Sequence, residues 1–151
     1  MSDARDAIDP VTISTALRLV HEHLTESVAH EQYIQTVEFD ASIPRWYVRF
    51  GCDGRDATTI YFDFHQRSLH YEVYFLPAPA FHHSEICDLL LRANNDSYGI
   101  AACIAPDGEI YLKGRRLLAH VDEAELDRII GSIYMFTERW FPRVVKLAFT
   151  A

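Results

Sequence analysis

Asp63, His65, His70 and Glu72 are the residues of this 151-residue chain whose types and spacing come nearest to chemistry. Two carboxylates and two imidazoles flank a short turn. A strand register that brought them together would make an acid/base cluster able to move a proton in a hydrolysis. Ordinary solvated side chains on strand faces account for the same four residues without any reaction. The other histidines do not converge. His21 and His23 lie two apart in a helical stretch and diverge by about 200 degrees, at about 3.6 residues per turn. His82 and His83 are adjacent, near a helix start and without a convincing HxxxH companion, so no metal ligand is assigned. Cys52, Cys87 and Cys103 form no CxxC pair. Cys87 and Cys103 suit small buried positions. Cys52 lies in a glycine-containing loop with no histidine or helix N-terminus beside it to favour the thiolate. That loop leads into a strand and lacks the Lys-Ser/Thr pair of a phosphate-binding loop. No catalytic residue and no cofactor is expected.

Residues suited to binding are better represented. Trp46, Tyr47, Tyr61 and Tyr74 offer large amphipathic area without needing a shifted pKa, although each also suits a core position. Lys113, Arg115 and Arg116 form a compact basic patch, able to pair with an acidic or phosphate-bearing partner or simply to be solvated. Against this patch the chain carries 22 acidic and 14 basic residues, a formal charge of -8, which disfavours a nucleic acid partner. No segment approaches the roughly 20 uninterrupted apolar residues that a membrane crossing needs. The N-terminus lacks a basic region with a long apolar run, and the cysteines are widely spaced, so the cytoplasm is the expected compartment.

The elements that must position these residues read as one domain over residues 13–151, preceded by a polar arm over 1–12. A helix from residue 13 to about 28 carries Ile13, Ala16, Leu17, Val20 and Leu24 on one face. Residues 45–50, 58–65 and 68–76 alternate as strands, placing Trp46, Val48 and Phe50, then Ile60, Phe62 and Phe64, then Tyr71, Val73 and Phe75 on buried faces. Residues 33–40 fit either an edge strand or an extended connector. Ser84 can cap a helix reaching about residue 93, and Asn94, Asn95 and Asp96 then turn the chain. Residues 98–105 and 109–114 form a hairpin around Pro106-Asp107-Gly108. Asp122 caps the last helix, Glu125 can complete a capping box, Val121 can staple to Leu126, and Pro142 should interrupt the run. The fold class is α+β: a five-stranded, mostly antiparallel sheet with three helices, in the order α-β-β-β-α-β-β-α.

This order, with Leu89-Leu90-Leu91-Arg92-Ala93-Asn94-Asn95, Tyr98-Gly99-Ile100 and Pro106-Asp107-Gly108-Glu109-Ile110-Tyr111-Leu112, resembles the YbjN family and the wider type III secretion chaperone fold. The resemblance covers roughly residues 13–142. It implies a compact, often dimeric domain, and its chaperone relatives bind extended segments of partner proteins. A non-catalytic protein-binding adaptor or chaperone-like module is the expected function. The alternative is a small-molecule-binding domain or an unclassified hydrolase using Asp63, His65, His70 and Glu72. A homodimer is expected, since sheet edges and excess apolar surface invite pairing. Val144, Val145, Leu147 and Phe149, which follow Pro142, are candidate dimer contacts unless they fold back on their own chain.

Overall fold

The computed structural model describes residues 10–151. Helix α1 spans Pro10–His30, so residues 10–12 of the expected arm are helical, while residues 1–9 lie outside the described part. Six strands follow: β1 Ile34–Asp40, β2 Arg45–Cys52, β3 Arg55–Phe64 and β4 Ser68–Leu76, then, after helix α2 (His83–Asn94), β5 Ala101–Ile104 and β6 Ile110–Leu117. A short 3-10 turn leads into α3, Glu123–Phe149. The sheet runs β1-β2-β3-β4-β6-β5 with every neighbouring pair antiparallel.

The α+β class and the three helices are as the sequence predicts, but the sheet has six strands rather than five. The additional strand is β1, which residues 33–40 left open. It hides from a sequence reading because only Ile34 is buried and a bulge between Ile34 and Thr36 breaks the two-residue period. Strands β2, β3 and β4 alternate as expected. Trp46, Val48, Phe50, Ile60, Phe62, Tyr71, Val73 and Phe75 all point into one core with Val20 and Leu24 of α1, Ile86 and Leu90 of α2 and Leu126, Ile129, Ile130 and Ile133 of α3. The helices thus cover one face of the sheet.

Two helix boundaries depart from expectation. Helix α2 starts after His82, whose φ of 55° is left-handed, and no side chain caps it, so Ser84 is not the cap. Helix α3 continues through Pro142 to Phe149. A proline inside a helix costs about 3 kcal/mol in isolation; here the turns beyond it are held by Val144 and Ala148, both fully buried, and Pro142 itself seats against Gly54 of the β2–β3 turn. The start of α3 is as expected at Asp122, whose Oδ1 accepts from the Glu125 N–H at 2.7 Å. The Glu125 carboxylate does not complete the capping box. It turns to Tyr98, Arg116 and Arg128 instead.

Candidate functional site

The face of the sheet opposite the helices is set by the strand period: residues alternating with the core positions must point outward. The register aligns Glu38, Tyr47, Tyr61, Glu72 and Lys113 across five strands. Tyr47 and Tyr61 meet edge to face with ring centroids 5.4 Å apart, and the Arg45 guanidinium lies over both rings at 5.9 and 5.3 Å. Arg45 is itself fixed by a two-pronged bond to Asp63, at 2.6 and 3.1 Å. A second pair, Tyr74 and Tyr111, repeats the geometry at 5.4 Å, and both hydroxyls donate to the Glu109 carboxylate at 3.2 Å. Lys113 bridges the two halves, 3.7 Å from Glu72 and 5.2 Å from the Tyr111 ring. The result is a half-exposed aromatic surface whose rings are held in place before anything binds, which lowers the ordering cost of association.

The expected acid/base group lies at one end of this face. The His65 and His70 rings meet at a tilt of 48° with centroids 4.2 Å apart, and Asp63, Glu72, Lys113 and Arg115 join them around a depression of about 350 Å³. The four residues do not assemble into a proton-transfer chain. Asp63 is taken by Arg45, and His70 bonds Ser68 at 2.9 Å. Desolvation, then the neighbouring His65 and Arg115, push the His70 pKa below the ordinary histidine value, and Asp63 only partly opposes them. No group of three or more metal-ligating side chains forms among the described residues.

The other expected contacts separate. Tyr47, Tyr61 and Tyr74 reach the open face, but Trp46 is fully buried: its indole N–H donates to His21 Nδ1 at 3.1 Å and its ring stacks on Phe39. It is a core residue, not a contact. The basic patch also divides, because residues 113, 115 and 116 cannot share one face of a strand. Lys113 and Arg115 point outward, whereas Arg116 points inward to Glu125 at 2.9 Å. In the tail, Val144 belongs to the chain's own core, Val145 and Leu147 are half-buried and Phe149 is 45% exposed. Cys52 ends strand β2 opposite Arg55 rather than lying free in a loop, and burial raises the pKa of the Cys103 thiol.

Sequence reasoning missed the cluster around Glu125. Its carboxylate, in a residue only 7% exposed, accepts from Tyr98, Arg116 and Arg128, while Ser132 donates to the Tyr98 carbonyl at 2.8 Å. This ties β6 and the loop before β5 to α3. Nearby, Gly114 leaves room for the Tyr71 ring, whose hydroxyl donates to the Gly99 carbonyl at 2.5 Å. The parity of Arg116 against Lys113 was the available signal. The two sheet edges also differ. Asn94 bonds both the N–H and the carbonyl of Ala102, at 2.7 and 3.1 Å, closing the β5 edge in the manner of a further strand. No such side chain closes β1 among the described residues.

An open-faced antiparallel sheet backed by three helices is an arrangement that this chain shares with several solved complexes. Solved structures of similar fold include those titled the ExsC-ExsE complex (TM-score 0.58, 12% identity, 87% of this chain and 96% of the other), the heterodimeric ExoU-SpcU complex of Pseudomonas aeruginosa (0.54, 13%, 76% and 91%) and the HopA1-SchA chaperone-effector complex (0.54, 11%, 89% and 98%). At these identities the likeness is one of fold. The chain belongs to the YbjN family, described as "Putative bacterial sensory transduction regulator", whose profile matches residues 20–146. Among similar proteins, the uncharacterized protein ML2442 of Mycobacterium leprae is 27% identical over 130 residues, covering 86% of this chain and 70% of that protein. The uncharacterized protein Rv0487 of Mycobacterium tuberculosis is 30% identical over 84 residues, which are 56% of this chain and 46% of that one.

Proposed function

We infer that this chain is a non-catalytic, chaperone-like protein-binding module that receives a segment of a partner protein on the open face of its sheet. The observation that carries this reading is the pair of pre-arranged tyrosine couples, Tyr47 with Tyr61 and Tyr74 with Tyr111, on a face that no helix of the described residues covers. Tyrosines held this way give binding area at low entropic cost, and Lys113 and Arg115 add charge at the margin. The unclosed β1 edge offers main-chain pairing to an extended segment, which the Asn94-closed β5 edge does not. Supporting the reading, the solved structures of the same fold include a chaperone-effector complex. The module is expected to pair with a second copy, with the exposed Phe149 and its neighbours Val145 and Leu147 as contacts; sedimentation equilibrium of the full chain and of a Phe149→Ser variant, which leaves the buried Val144 and Ala148 in place, tests this. For the binding surface, a photo-crosslinking residue placed at position 61, with position 91 on α2 as the comparison, should give a discrete adduct with a partner protein from position 61. Adducts from position 91 alone would place binding elsewhere.

A further inference from the structure

On the helical side, α2, the loop at residues 96–98 and α3 enclose a groove of about 620 Å³. Its floor is apolar, built by Ala93, Phe136, Met135 and Trp140, and it opens over Gly131. A glycine in a helix interior is unfavourable relative to alanine. Packing does not ask for it, since a Cβ at Gly131 would meet no atom of the described residues beyond its own helix backbone within 4 Å. Its effect is to leave bare backbone in the groove, where another chain can approach closely. Met135 beside it is 70% exposed, a large apolar side chain that the chain's own core does not use.

The ridge along this groove is basic, in a chain of net charge -8. Arg139, Arg143 and Lys146 follow one another at four- and three-residue steps, continuing the line of Met135, so all lie on one stripe of α3. All three are exposed and none has an ion-pair partner among the described residues. Arg139 rests on the Trp140 ring at 4.7 Å. One carboxylate of α3, Glu138, also lines the groove, half-buried, on the side of the stripe away from Arg143 and Lys146. Across the groove, Asp96 makes the opposite wall unfavourable for acids, so an acidic ligand would be oriented with its charges toward α3.

We propose that this groove binds an acidic amphipathic helix of a partner protein, its apolar side chains seated over Gly131 between Met135 and Trp140 and its carboxylates on Arg139, Arg143 and Lys146. Length argues for a helix over a small molecule: from Gly131 to Lys146 the stripe runs about 22 Å at about 1.5 Å per residue, well beyond the groove itself. The acidic balance of the whole chain argues against a nucleic acid. This surface is separate from the sheet face, and the proposal stands or falls independently of the function inferred there.

The test uses the full chain and a fluorescein-labelled helical peptide of about 18 residues, long enough to span the stripe, with leucines on one face and glutamates on the other. Saturable anisotropy is expected, with a change in Trp140 fluorescence. Arg139→Glu with Arg143→Glu, and separately Gly131→Leu, should each weaken binding at least about tenfold, as loss of a central contact does. The thermal midpoint of Gly131→Leu should not fall, which separates a filled groove from a damaged fold. A peptide with lysine for glutamate should not bind. Equal binding of the lysine peptide, indifference to the arginine changes, or no saturation by about 100 µM, a threshold of weak association, would overturn the proposal. So would capture by phosphatidylglycerol vesicles in place of the peptide.

Discussion

Replacing Gly114 by alanine should destabilise the fold by about 3 kcal/mol, the sum of an overpacking cost of about 2 and a lost hydrogen bond of about 1. Gly114 lies opposite Tyr71 in the β4–β6 pair. A Cβ there would stand 2.1 Å from the Gly99 carbonyl oxygen and 2.5 Å from the Tyr71 ring. Neither neighbour can yield easily: Tyr71 is 2% exposed and packed against Phe62 at 5.8 Å, and its hydroxyl is fixed on that same Gly99 carbonyl. Moving the ring therefore breaks the hydrogen bond, and keeping it forces the clash. Urea denaturation followed by circular dichroism measures the loss, with the slope unchanged if only the native state is affected. In a domain of this size the same change lowers the thermal midpoint by about 6–12 °C. An alanine variant within about 0.5 kcal/mol of the parent, the range of an inert surface change, would refute the packing argument.

Gly131→Ala should act in the opposite direction, stabilising by about 1 kcal/mol through helix propensity, because its Cβ enters open space; the same urea titration checks it. Burial holds the phenols of Tyr71 and Tyr33 up to about 12, above the ordinary value of 10.0. With the folded pKa raised, the unfolded chain loses these protons first, so their contribution to stability is intact below pH 10.0 and lost as pH rises toward about 12. Ultraviolet titration should show Tyr33 and Tyr71 among the tyrosines that ionise late, with Tyr74, Tyr111 and Tyr134 also raised by burial, and normal ionisation of all eight would contradict it. Asn94→Ala should free the edge groups of Ala102, costing about 1–2 kcal/mol and promoting self-association visible by light scattering.

Period-two alternation placed Trp46, Val48, Phe50, Ile60 and Phe62 inward, which in turn put Tyr47 and Tyr61 on the open face; that much of the site was legible in the sequence. Applied to residues 113–116, the same counting would have separated Arg116 from Lys113 and Arg115. Grouping those charges by proximity in sequence hid an inward arginine and its carboxylate, Glu125. Strand β1 was illegible because an edge strand with one buried residue carries almost no pattern. Pro142 misled because local propensity says nothing of Val144 and Ala148, whose burial keeps the helix intact beyond it. The bonds of Asn94 to Ala102 depend on the position of α2 against β5, a tertiary fact with no local signature.

The most direct test of the central claim is affinity enrichment with the purified full chain as bait, in parallel with a Tyr47→Ser, Tyr61→Ser variant shown by circular dichroism to be folded. Both side chains are only half-buried and face away from the core, so the fold should survive their loss. The account predicts a reproducible protein partner whose direct binding, measured with the purified pair, is weakened at least about thirtyfold in the variant, equivalent to about 2 kcal/mol at a central aromatic contact. A partner retained with unchanged affinity by the variant would contradict the sheet-face account, and the reproducible absence of any protein partner would contradict the binding function itself.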